Sequence, residues 1–196
     1  MIKKTSILAV LFVFISALSN ASVAMQDSQT LAAENQADEQ YHILKVAGAG
    51  NMYKRQVPGL DEEAMCFDVE LYNAKDKWIG SATDCLSDVQ PQANGLTILG
   101  TTFFYLPQGT IVTRGKISIQ PVLEETILES GQAVTHMTGA SNEGNSIIDG
   151  TGIYANSTGN IRLSGLVDMS QFEMNEGDVI SFSCFFNAHI HLNQSI

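Results

Sequence analysis

Two histidines one residue apart end the last apolar run of the chain, "HIH" at His189 and His191. On an extended segment both imidazoles share one face, and a third from His136 would make a zinc triad. The spacing is common by chance and the pair stands near the C-terminus, so it reads as a solvated strand end and no metal is expected. Asp84, Asp88, Glu143 and Asp149 offer carboxylates for calcium, but without EF-hand or nonapeptide spacing. Arg114 and Lys116 fall on one strand face and suit a ligand's carboxylate. Residues 150–155, "GTGIYA", formally match a dinucleotide fingerprint. That fingerprint must open a helix, whereas "ANSTGNIRLSG" continues with residues that favour turns. A phosphate loop lacks its Gly-Lys-Ser/Thr ending, so no cofactor is expected.

The cysteines carry a different chemistry. In "CFDVELYNAKDKWIGSATDC" a four-residue loop of Ala74 to Lys77 puts Asn73 across from Trp78, and the same register brings Cys66 opposite Cys85. Opposed residues of an antiparallel pair have β-carbons at the separation a disulfide needs. A one-residue slip would leave two buried thiols instead. Cys184, in "VISFSCFF", is left over as a small core residue.

The elements that must position these groups are strands. Short runs rich in Val, Ile, Phe, Tyr and Thr alternate with Gly, Asn, Asp and Pro, giving candidate strands at 41–48, 65–73, 78–87, 96–106, 110–120, 132–140, 146–149, 160–168 and 178–192. Only "VLEETILES" has a trace of helical period. "FFYLPQGTIVT" sets Pro107 and Gly109 where a tight reversal needs them. So many strands in one small domain point to a closed barrel or a sandwich. Residues 149–165 hold four glycines. Gly150 and Gly152 are expected to relieve a bend, "IYA" to form a short paired segment, "NSTG" to turn and "NIRLSGLVDM" to form a strand. Asn156, a glycosylation sequon in form, is read as turn chemistry.

The ends and the charge restrict the setting. "MIKK", the apolar run "SILAVLFVFISAL" and the small residues "SNASVA" have the three parts of an export signal over 1–24, with about two-thirds of the length a membrane span requires. Residues 25–40 are polar and acidic and read as a flexible leader. A barrel domain is expected over 41–196, in a periplasm or outside the cell, with no membrane anchor after processing. The net charge of −11 disfavours nucleic acid and anionic surfaces as partners.

"DGTGIYANSTGNIRLSG" resembles the signature of the allene oxide cyclase and dirigent proteins. "TTFFYLPQGTIVTRGK" upstream and "SFSCFFNAHI" downstream extend the likeness over roughly Met65 to Leu192. The resemblance implies an eight-stranded antiparallel barrel of the calycin type whose interior holds a small hydrophobic molecule. The aromatic residues Phe103, Tyr105, Tyr154 and Phe182 are expected to line that cavity. In such cyclases a Glu-x-Asn pair on the first strand faces the cavity, and the second strand carries a cysteine. The matching positions are Glu70, Asn73 and Cys85, although Glu70 and Asn73 are separated by two residues and so face opposite ways on a regular strand. The resemblance thus implies ligand binding, with an isomerase or cyclase acting on an unsaturated substrate as the alternative. A structural barrel with a filled core, forming homo-oligomers, is the third expectation.

Overall fold

The computed structural model describes residues 39–120, 126–140, 144–168 and 173–193. The expected export signal lies outside the described residues, as does the expected leader up to residue 38. Among the described residues eleven strands are present: β1 (Glu39–Asn51), β2 (Tyr53–Arg55), β3 (Ala64–Asn73), β4 (Trp78–Gln92), β5 (Gly95–Leu106), β6 (Gly109–Gln120), β7 (Thr126–Ile127), β8 (Ala133–Ala140), β9 (Ile147–Gly150), β10 (Thr158–Asp168) and β11 (Val179–His191). Eight of them pair antiparallel in the cyclic order β1, β3, β4, β5, β6, β8, β10, β11 and back to β1. The protein is therefore all-β, with a closed eight-stranded barrel. Its seam is β1 against β11, from Glu39 opposite His191 to Asn51 opposite Val179. Closure satisfies the backbone donors and acceptors that an open edge would expose.

Alternation within each strand decides what is inside. Phe67, Val69 and Leu71 on β3, Ala82 and Leu86 on β4, Ile98 and Phe104 on β5, and Phe182, Phe186 and Ile190 on β11 join one buried cluster. Phe67 meets Phe182 edge to face at 5.3 Å, and Phe104 meets Phe186 in the same way at 5.0 Å. A second, smaller cluster lies on the opposite side of β3–β6. Cys66, Cys85, Phe103 and Val112 are covered there by Val57 and Leu60 of the segment 56–63, which crosses the outer wall as a strap. Arg114 holds the strap. Its guanidinium donates to the carbonyl of Pro58 at 2.6 Å and, through Nε, to Thr101 Oγ1 at 2.9 Å.

The β3–β4 hairpin reaches the expected cysteine pairing by a different route. Tyr72, not Asn73, faces Trp78, and Ile79 bulges out before Leu71 meets Gly80. The tighter loop and the one-residue bulge cancel, so Cys66 still faces Cys85 and the two form a disulfide. "IYA" is corrected too. Gly152–Tyr154 make one 3-10 turn, not a paired segment. The reason is close approach of two backbones: a Cβ at Gly152 would stand 2.1 Å from the Gln108 oxygen, and one at Gly109 would stand 2.0 Å from the Thr151 oxygen. Only glycine permits that contact. It is sealed by Ile153 N–H donating to Gln108 and Thr151 N–H to Thr110, and it brings Tyr154 into the core. Asn156 takes the left-handed conformation of a turn, at φ 58°. In the "VLEETILES" stretch, 122–125 lie outside the described residues and Thr126–Ile127 form a strand.

Candidate functional site

The interior leaves little empty space. One void of about 20 Å³ lies among Phe67, Asp84, Ile98, Met137 and Phe182, and another of about 30 Å³ lies among Thr102, Thr113, Leu163 and Phe186. Each has room for one or two waters, against the roughly 300–1,000 Å³ of a small-molecule site. Asp84 is the one buried carboxylate among the described residues. It shares the inward face of β4 with Ala82 and Leu86, and Thr102 Oγ1 donates to it at 2.8 Å. Burial raises its pKa to about 6 against the lowering effect of Thr102 and the Cys85 amide. The Cys184 thiol is pushed up by burial and by the Asp84 charge. A thiol held protonated in this way is a poor nucleophile.

The expected catalytic residues are not brought together. Glu70 is exposed on the outer wall, where its carboxylate accepts a hydrogen bond from the Trp78 indole. Asn73 is a turn residue whose Oδ1 accepts from the amides of Lys75 and Lys77 at 2.9 and 3.1 Å. Cys85 is consumed by its bond to Cys66. Of the four aromatics expected around a cavity, Phe182 and Tyr154 belong to the interior cluster. Phe103 and Tyr105 do not, because the register turns even-numbered β5 residues inward and gives that place to Phe104. Phe103 is packed under Arg55, which lies 4.7 Å above its ring, and Tyr105 is 37% exposed. Arg114 is corrected from ligand contact to strap anchor. The calcium carboxylates are dispersed: Asp84 is internal, Asp88 sits at a bulge with its carboxylate on Gln90, Asp149 is on β9, and Glu143 lies outside the described residues.

The larger concavity is on the outer wall. Where β10, β11 and β1 run side by side, a groove of about 790 Å³ is lined by Tyr41, Ile43, Ala140, Asn160, Arg162, Asn187 and His189. Tyr41 stacks on His189 at 4.2 Å with the rings 11° from parallel. Tyr41 and Ile43 are 72% and 50% exposed. Arg162, Asn160 and Asn187 add one cation and two amides to this apolar floor. Alternation in "YHI" and "NIR" places these residues outward, but only the pairing of β1 and β10 on either side of β11 makes them one surface. His136 stands apart on β8, opposite Leu166, with its ring near Ser164. The three-histidine arrangement is therefore not formed. No helix among the described residues is long and apolar enough to cross a membrane.

No protein-family model matches the chain, and a search of curated proteins returns no match.

Proposed function

We propose that this is an exported barrel that binds a small, largely hydrophobic molecule with an anionic end, in the groove on the outer wall. The observation that carries the reading is the contrast in volume: about 790 Å³ outside, against two interior voids of about 20 and 30 Å³. Tyr41 and Ile43 supply the apolar floor, Arg162 the charge that meets the anion, and Asn160 and Asn187 the amides that orient it. Export is supported by the signal pattern of residues 1–24 and by the Cys66–Cys85 disulfide, which an oxidising compartment maintains. The calycin type and the likeness to allene oxide cyclases and dirigent proteins stay part of this proposal, with the ligand moved from the lumen to the wall. The placements of Glu70, Asn73 and Cys85 lend nothing to a cyclase.

Titration with a fluorescent fatty acid tests it. Saturable binding is expected, weakened about tenfold by Arg162→Ala, the loss of one charge-assisted contact. Absence of a saturable signal, or binding indifferent to both Arg162→Ala and Ile43→Asp, would overturn it. A second reading, a structural barrel that oligomerises through its wall, is favoured by the filled interior together with exposed Ile43, Leu166 and Phe185. A mass by light scattering that rises with concentration and falls in Phe185→Asp would select that reading.

A further inference from the structure

The barrel seam assembles a constellation that neither strand carries alone. Glu39 on β1 is opposite His191 on β11, and Tyr41 is opposite His189. Three potential ligand atoms, one each from Glu39, His189 and His191, lie within 4.8 Å of one another. Glu39 Oε2 is 3.4 Å from His189 Nε2, and Glu39 Oε1 is 3.4 Å from His191 Nδ1. A tetrahedral ion with bonds of 2.0–2.2 Å holds neighbouring ligand atoms roughly 3.3–3.6 Å apart, so three donors gathered within 4.8 Å, with each imidazole 3.4 Å from a different oxygen of Glu39, need only small side-chain adjustments to share one ion.

The side chains are held in place from outside the triad. Tyr41 stacks on the His189 ring, its hydroxyl donates to Glu39 Oε2 at 3.3 Å, and the two imidazoles touch at 4.4 Å. Among the described residues His189 Nε2 is shut off from solvent and makes no hydrogen bond, and its charged neighbour is Glu39 Oε2 at 3.4 Å. A buried ring nitrogen that faces a carboxylate oxygen without a hydrogen bond is costly unless a proton or a cation lies between them.

We infer that Glu39, His189 and His191 form a site for a divalent transition-metal ion of the zinc type, with a fourth position open to solvent. Two imidazoles and one carboxylate select zinc, copper or nickel over calcium or magnesium, which prefer all-oxygen shells. Tyr41 is a positioning residue, orienting both Glu39 and His189 without touching the ion.

Calorimetric titration of the tag-free protein with zinc chloride tests the site, with cobalt(II) as a spectroscopic substitute. One equivalent should bind. His189→Ala and His191→Ala should each weaken it by about a hundredfold, Glu39→Gln and Tyr41→Phe by about tenfold, and His136→Ala should leave it unchanged. Cobalt should give the intense visible bands of a four-coordinate ion, lost in His191→Ala. In the unaltered protein, zinc should protect two histidines from acylation by diethyl pyrocarbonate, a readout that does not depend on any variant folding. The inference is overturned by absent binding, by equal binding in a His189→Ala/His191→Ala double variant that keeps its circular dichroism, or by failure of zinc to protect either histidine.

Discussion

The two sides of the barrel wall treat apolar surface in opposite ways. Over β3–β6 the outward Phe103, Val112 and the Cys66–Cys85 bridge are roofed by the 56–63 strap, which Arg114 pins down. Over β1, β11 and β10 the outward Tyr41, Ile43, Leu166 and Phe185 have no such cover among the described residues, with Phe185 45% exposed. Both faces carry aromatic residues at outward positions, so residue type does not separate them. What separates them is whether one of the described segments lies across. The covered face works as a second core, and the open one keeps its apolar area and its polar groups available to something else.

The sharpest way to break this contrast is a matched pair of truncations. Phe103→Ala should cost about 3–5 kcal/mol, since it empties a buried aromatic site, whereas Phe185→Ala should change stability by no more than about 0.5 kcal/mol. Denaturant unfolding of the two variants checks this, and equal losses would mean the open face is as structural as the strapped one. Next in size is the bridge. Cys66 and Cys85 are 19 residues apart, and for a loop of that length removing the link by Cys66→Ser/Cys85→Ser should cost about 3 kcal/mol. Proteolysis of the variant should then begin in the strap at 56–63 and spare the β1–β11 seam.

A further effect, no larger than that of the bridge, belongs to the interior that both faces share. The Asp84 pKa is raised from 3.8 to about 6 in the folded protein, so the folded state holds this proton more tightly than the unfolded one. That contribution is fully present below pH about 4 and is lost as the pH rises through about 6, worth at most about 3 kcal/mol. Asp84→Asn keeps an acceptor for Thr102 and removes the charge. Thermal unfolding at pH 4 and pH 8 should show the wild type losing this increment, with the variant flat and more stable at pH 8. A wild type whose Asp84 contribution does not change between those values would mean that water reaches the carboxylate.

Much of the fold can be read from local chemistry. Alternating apolar residues placed nine of the strands, Pro107 and Gly109 placed a hairpin, and Asn156 marked a turn. The Cys66–Cys85 pairing followed from counting residues outward from a loop. That count assumed the wrong loop, and the bulge at Ile79 restored it. Such a bulge leaves no trace in composition, because it answers to twist and packing against the neighbouring strand.

The candidate sites were less legible. "FFY" at 103–105 is aromatic at every position, so the sequence alone could not say that Phe104 enters the barrel and Phe103 lies under the strap. Parity is set by pairing with β4 and β6. Glu70 and Asn73 found their partners within their own hairpin, a local competition that family likeness does not register.

From its sequence alone the protein was bound to be a chain of short antiparallel strands, with turns at its Gly, Pro and Asn clusters and one cysteine pair within reach. Those features depend on backbone preference and on neighbours close along the chain. Only the tertiary structure decided that Glu39 would meet His189 and His191, that the lumen would be filled, and that one outer face would gather Tyr41, Ile43 and Arg162. Each of those outcomes joins residues far apart in sequence, through the closure of the first strand upon the last.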